Sequence, residues 1–411
     1  MKMNYYRYNG YTLCSWESLP YEKIDALPAA GEVIFLFHRP LLTGRESYPV
    51  TDAALLTERE SVDTLNASTP APPVPPELAA AVKAGRVRAV NGRHPRWQEL
   101  LPPLPKKEKY RVHLLGLGDV GSTLLMGLRL LGGDVLSSIG LCDLRENVPQ
   151  RWEFELNQIG LPWDYDALPS VEIISPEELF SGDVFLFCAS RFVPDTAVRD
   201  GDVRMAQYEL NRDLVAQYAK KARQARYKGL FCVVSDPVDP LCRAALLESN
   251  RDEAGHLDGL GLFPHQVRGF GLGVMNARAA YYAKKDPRFA DFLIDGRSFG
   301  PHGEDLVIAN SVSHYDDALS RELTDLAAHA NLDMRRMGFK PFVAPALSSG
   351  ALSLLLCLRG AWHCSSACLG GVFMGGRNRE TPMGVEFERL PLPEELLARL
   401  RETEKKLHVI P

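Results

Sequence analysis

The 411-residue sequence has no apolar run long enough to span a bilayer; its greasiest stretch, Leu347 to Leu358, is short and interrupted by serines. The opening Met1-Lys2-Met3-Asn4-Tyr5-Tyr6 likewise has no apolar core of the kind a signal peptide carries. Both absences point to a cytoplasmic protein with no membrane partner. An excess of positive charge is also missing, since 47 Lys and Arg stand against 52 Asp and Glu, a formal charge of -5. Neither nucleic acid nor an acidic membrane surface is attracted at long range by such a balance. Regularly spaced cysteines are lacking too. The eight present, at 14, 142, 188, 232, 242, 357, 364 and 368, fall mostly inside apolar runs, which favours buried thiols over a disulfide framework. His363, Cys364 and Cys368 have no fourth partner in sequence, so packing outweighs a metal site and no metal is expected.

What is present is a chain too long for one ordinary domain, with 45% hydrophobic residues, 24% charged residues and 29 prolines. Residues 1–105 read as an appended N-terminal domain with a strand at Val33–Phe37, a proline-rich stretch from Thr69 to Pro76 and a short helix-like run from Glu77 to Ala84. Pro102, Pro103 and Pro105 mark a linker, because closely spaced prolines continue neither a helix nor an internal strand. From Lys106 the pattern alternates short apolar strands with longer amphipathic helices: Arg111–Leu115, Val120–Leu131, then Ile139–Cys142. Strands at Val184–Cys188 and Leu230–Val234 flank a helix over Val203–Arg226. The result is an α/β fold with a helix-covered parallel sheet.

The first site signal is Gly116-Leu117-Gly118-Asp119-Val120-Gly121, placed between a strand and a helix. Gly116 permits the tight turn, Gly118 clears the path of a diphosphate, and Gly121 allows close helix packing; Asp119 and Val120 complete the cofactor-binding turn. Asp143, at the end of the next strand, is suited to accept hydrogen bonds from both adenine-ribose hydroxyls. A carboxylate there repels a 2′-phosphate, so NAD is favoured over NADP.

Further along, the sequence resembles the lactate and malate dehydrogenase family over roughly residues 110 to 408. The resemblance rests on Val233-Val234-Ser235-Asp236-Pro237-Val238-Asp239, Phe299-Gly300-Pro301-His302-Gly303-Glu304-Asp305 and the tail Gly371-Val372-Phe373-Met374-Gly375-Gly376-Arg377-Asn378. It implies a Rossmann-type doubly wound NAD domain over 106–255, followed by an α+β substrate domain over 256–411. It also implies a homo-dimer or homo-tetramer and hydride exchange between NAD and a small 2-hydroxy or 2-oxo acid. In that likeness His302 carries the proton, Arg278 grips the substrate carboxylate and Arg204 polarises the carbonyl. Arg191 is a weaker substrate contact, and Asn211 fills a downstream asparagine position. His265 and His314 have no comparable motif around them.

The departures matter as much. The family's histidine-orienting aspartate has no counterpart before Arg278, where Met275 or Asn276 falls. Asparagine is able to orient His302 but not to stabilise an imidazolium as an anion does, and loss of such support costs about 10-fold to 100-fold. Asp236 stands where the family carries an asparagine that supports cofactor and substrate, so its charge repels a substrate carboxylate unless it is protonated, paired with an arginine, or takes over some support of His302. Val193, nearest the loop position that selects the substrate side chain, argues against a second carboxylate. A different class therefore stands beside the enzyme: an NAD-binding regulatory or interaction protein that kept the scaffold and lost efficient chemistry.

Overall fold

The computed structural model describes residues 2–191 and 202–410, with only the helical backbone described for 202–206. In the first hundred residues, Asn9 and Gly10, both at positive φ (47° and 83°), turn β1 (Asn4–Tyr8) into β2 (Tyr11–Ser15). Asn-Gly is the pair best suited to a two-residue hairpin turn. With β3 (Glu22–Ile24), β4 (Val33–Phe37), β5 (Ser47–Pro49) and β6 (Val87–Asn91) they form a six-stranded sheet in the order β3-β1-β2-β4-β6-β5. Helix α1 (Pro76–Lys83) opens on a proline, tolerated because the first helical residue needs no N–H donor. Its Leu78 and Ala81 share a buried core with Phe35, Phe37 and Tyr48.

This sheet is fastened to the far end of the chain. Arg45 donates to the Val385 carbonyl (2.9 Å), Ser47 to that of Met383 (2.9 Å), and Arg389 to that of Thr64 (2.8 Å). Glu60, buried, faces Arg45 and Arg39; burial disfavours its charge, but the two guanidinium groups outweigh that and hold the carboxyl below its ordinary range. The second proline cluster is held as well, with Arg88 donating to the Pro102 carbonyl (3.0 Å) and the Leu104 N–H to that of Pro382 (2.7 Å).

The main body runs β7 (Tyr110–Leu115), α2 (Asp119–Leu131), β8 (Leu136–Cys142), α3 (Asn147–Asn157), β9 (Ser170–Ile173), β10 (Val184–Phe187), α4 (Asp202–Gln224), β11 (Leu230–Val233), α5 (Val238–Ser249) and β12 (Val267–Gly269). Its strands are parallel in the order β9-β8-β7-β10-β11-β12. The chain winds outward both ways from the β7/β10 junction, the switch point at which open α/β sheets form a ligand crevice beyond the strands' C-terminal ends. Phe185, Phe187 and Phe231 pack on one face of this sheet, and Leu124, Leu128, Ile139 and Leu354 on the other.

There follow α6 (Leu272–Ala283), α7 (Phe292–Asp295), the hairpin β13 (Arg297–Phe299) and β14 (Val307–Ala309), α8 (Asp317–Arg336), a π-helical turn over Pro345–Leu352, and α9 (Ser353–Leu358). Strands β15 (His363–Leu369), β16 (Val372–Thr381) and β17 (Gly384–Phe387) extend the main sheet antiparallel beyond β12, and α10 (Glu394–Val409) closes the chain. The whole is a Rossmann-type doubly wound α/β unit with an α+β substrate-type unit after it, as expected. All eight cysteines are free thiols. Among the described residues no helix is long and apolar enough to cross a membrane.

Candidate active site

The glycine turn sits at the C-terminal end of β7. Gly116 has a φ of 94°, and a Cβ there would lie 2.8 Å from the Ala189 backbone; at Gly121 it would lie 2.0 Å from the Gly116 carbonyl oxygen. A side chain at either position would break the close packing of strand, turn and helix. Beyond Gly118, by contrast, a Cβ would meet nothing within 4 Å, and no side chain caps α2 there. Open space over an uncapped helix start suits a diphosphate, whose charge the helical N–H groups favour. Asp119, in the first turn of α2, adds a negative charge that Lys340 offsets at 3.0 Å. Val120 packs its side chain toward the core below.

Asp143 follows directly on β8. Its Oδ2 accepts the Leu117 N–H (2.8 Å), while Oδ1 accepts the Arg145 N–H (3.1 Å) and the Arg145 Nε (3.2 Å). Burial raises its pKa most, but these donors together outweigh it and bring the carboxyl below its usual range.

The second cluster gathers residues distant in sequence. His302 Nδ1 lies 2.9 Å from the Gly271 carbonyl oxygen, which also accepts the Ser349 hydroxyl at 2.5 Å. Because a carbonyl only accepts, it selects the tautomer with the proton on Nδ1 and leaves Nε2 with a lone pair. Nε2 is turned toward Asp236, whose Oδ1 is 3.8 Å away, beyond hydrogen-bond reach. The His302 N–H donates to buried Asp239 (2.9 Å), and the Ser366 hydroxyl donates to the same carboxylate. Burial raises the Asp239 pKa, opposed by both donors.

Arg278, on α6, directs Nη1 at the Ala327 carbonyl (3.2 Å) and the Met275 sulfur (3.6 Å). Burial lowers its pKa, while Tyr282 and Asp236 pull the other way, so the carboxylate that faces His302 also acts on Arg278. Asn211, fully buried, donates to the Asp236 carbonyl (2.9 Å) and accepts the Arg191 N–H (3.0 Å), tying the loop after β10 to the Asp236 turn. Arg204 lies on α4, but its side chain and all of Val193 fall outside the described residues.

Four sequence-derived candidates sit elsewhere. Asn276 does not reach His302; its Oδ1 accepts the Ser298 hydroxyl (3.1 Å). His265 is buried and pushed down to about 3, chiefly by burial, with its ring stacked on Phe263. His314 faces Asp291 at 3.5 Å on the surface. The fourth, His363, pairs its Nε2 with the Ser365 hydroxyl (3.0 Å), and no metal-holding cluster occurs among the described residues. Sequence reasoning missed Gly271, whose contribution is a main-chain oxygen, and Ser349, which comes from the π-helical turn. Asp239 lay inside a quoted motif without a role.

No family model matches the sequence. A stretch of 201 residues, 48% of the chain, is 28% identical to an L-lactate dehydrogenase of Treponema denticola, of which it spans 56%. Another of 204 residues is 28% identical to a probable malate dehydrogenase of Campylobacter jejuni, spanning 49% of this chain and 61% of that protein. The chain thus covers little more than half the length of these curated relatives. Among solved structures, the minor L-lactate dehydrogenase of Enterococcus mundtii superimposes with a TM-score of 0.58 at 20% identity, over 74% of this chain and 98% of that one. The malate dehydrogenase of Archaeoglobus fulgidus, solved in complex with NADH, gives 0.57 at 17% identity over 73% and 98%. These likenesses show a common fold, and with the sequence matches they make the chain a divergent homologue of the lactate and malate dehydrogenases.

Proposed function

We propose that the protein is an NAD-linked oxidoreductase that interconverts a small 2-hydroxy acid and its 2-oxo acid, in the manner of lactate dehydrogenase. The observation that carries this reading is His302, locked at Nδ1 by the Gly271 carbonyl with Nε2 turned toward Asp236. The cofactor's diphosphate would rest on Gly116, Gly118 and Gly121 with Asp119 and Val120, its ribose on Asp143, and Asp236 would border both cofactor and substrate. When bound, the nicotinamide supplies the hydride acceptor or donor. His302 takes the substrate hydroxyl proton at Nε2 during oxidation and returns it during reduction. Arg278 holds the substrate carboxylate through its planar guanidinium, and Arg204 polarises the carbonyl.

A second reading has its own observation: a neutral carbonyl holds His302 where the resemblance calls for a carboxylate, and the nearby carboxylate faces the other ring nitrogen from 3.8 Å. A chain so built is a catalytically impaired NAD-binding regulator. The two readings separate in one experiment that titrates NADH and follows nicotinamide absorbance over a panel of 2-hydroxy and 2-oxo acids. Turnover lost in His302→Ala supports the enzyme; NADH binding without turnover supports the regulator; no nicotinamide binding contradicts both.

Assembly from identical subunits belongs to the same proposal. Trp163 and Tyr165 after α3 are 90% and 75% exposed, and Met337 and Phe339 after α8 are 62% and 66% exposed, apolar surface that a second copy would cover. Light scattering that finds only a monomer at micromolar concentration would contradict it.

A further inference from the structure

We infer that Arg145 makes the ribose end of the cofactor site accept a 2′-phosphate, so that the protein binds NADPH as well as NADH. This rests on the cofactor site proposed above. An aspartate at the end of β8 is expected to repel a 2′-phosphate, but here the carboxylate is neither bare nor open. Its two oxygens already receive the Leu117 N–H, the Arg145 N–H and the Arg145 Nε, and its side chain is 8% exposed. The Arg145 side chain that covers it is 63% exposed. Among the described residues the terminal nitrogens of Arg145 engage no acceptor, so its outward N–H groups are available beside a neutralised charge.

The two cofactors then make different demands on one pair. Three donors already occupy the carboxylate, so a ribose diol finds about one acceptor position left, on Oδ2, and must displace the Arg145 Nε to gain a second, whereas a 2′-phosphate meets the guanidinium as it stands. Planar guanidinium and phosphate form parallel charge-assisted hydrogen bonds, which lysine does not reproduce. An arginine near the ribose is the general device for admitting the 2′-phosphate, and an acid the device for binding the diol. This chain has both, two residues apart.

The test is fluorescence or calorimetric titration of the full chain with NADH and NADPH, for the wild type, Arg145→Ala and Arg145→Glu. Wild-type affinities within about tenfold of each other are expected, with the NADPH-over-NADH ratio falling about tenfold in Arg145→Ala and further in Arg145→Glu. NADH binding with NADPH weaker by more than about a hundredfold in the wild type would overturn the inference while leaving the cofactor site intact. An unchanged ratio in both variants would also overturn it. Failure of both nucleotides to bind would sink the cofactor site itself, and this inference with it.

Discussion

The glycine turn follows β7 and the His302 cluster gathers at the turns after β11 and β12, at the same C-terminal edge of the parallel sheet, yet they are built differently. The turn is local: six consecutive residues, a strand before and a helix after, with the Gly121 packing enforced by a main-chain oxygen only five residues away. The His302 cluster is assembled. Its histidine is aimed by a carbonyl 31 residues distant, its main chain is fixed by a carboxylate 63 residues distant, and the aiming carbonyl is itself fixed by a serine 78 residues distant. A local device tolerates sequence drift if its few positions hold. An assembled one permits substitution of one partner by another, and here a main-chain carbonyl does the orienting that the resemblance assigns to an aspartate.

The comparison predicts distinct failures. The largest is His302→Ala, which should lower kcat about 10²-fold to 10⁴-fold while NADH still binds, separating the proton site from the cradle. Gly121→Ala should do the reverse. Its new Cβ would press on the Gly116 oxygen, costing about 1–3 kcal/mol in denaturant melts and weakening NADH binding before it touches the proton step. Ser349→Ala should reduce kcat about tenfold with a smaller change in KM, because it loosens the carbonyl that aims His302 without touching substrate; equal losses in NADH affinity would contradict that division.

The smallest effect concerns the seam between the two sheets. His94 and His265 are held near 4 and 3, mainly by burial, whereas in the unfolded chain they protonate near 6.5. The unfolded state therefore binds more protons, and the stability tied to these rings is present above pH 6.5 and lost as pH falls toward 4. Buried Glu46 and half-buried Glu404, raised to about 7, act in the opposite sense, losing stability as pH rises from about 4.5 to 7. The informative quantity is thus the difference between wild type and His265→Leu, whose Tm should fall less between pH 7 and pH 5.

How much of this was legible follows the same division. The Gly116–Gly121 turn, Asp143 and the helices beside them were readable because period and punctuation coincide within thirty residues. In the N-terminal sheet only β4 was read, since Val-Ile-Phe-Leu-Phe is a continuous apolar run. β1, β2 and β6 are short and interleave polar residues with apolar ones, so the Asn9-Gly10 pair between β1 and β2 is the one strong local signal they carry. His302, Arg278 and Asp236 were found through likeness to a family. Their distances were not, because contacts between α6, the Asp236 turn and the His302 loop arise only when the chain closes. The Gly271 carbonyl has no sequence signature at all, as every residue carries one.

The most direct measurement is therefore on the His302 ring. A histidine-selective ¹⁵N spectrum at neutral pH, assigned by comparison with His302→Ala, should show the neutral ring protonated at Nδ1 and bare at Nε2. A ring protonated at Nε2 instead would mean that the Gly271 carbonyl does not orient it, and the proton-carrying arrangement proposed for this crevice would be wrong.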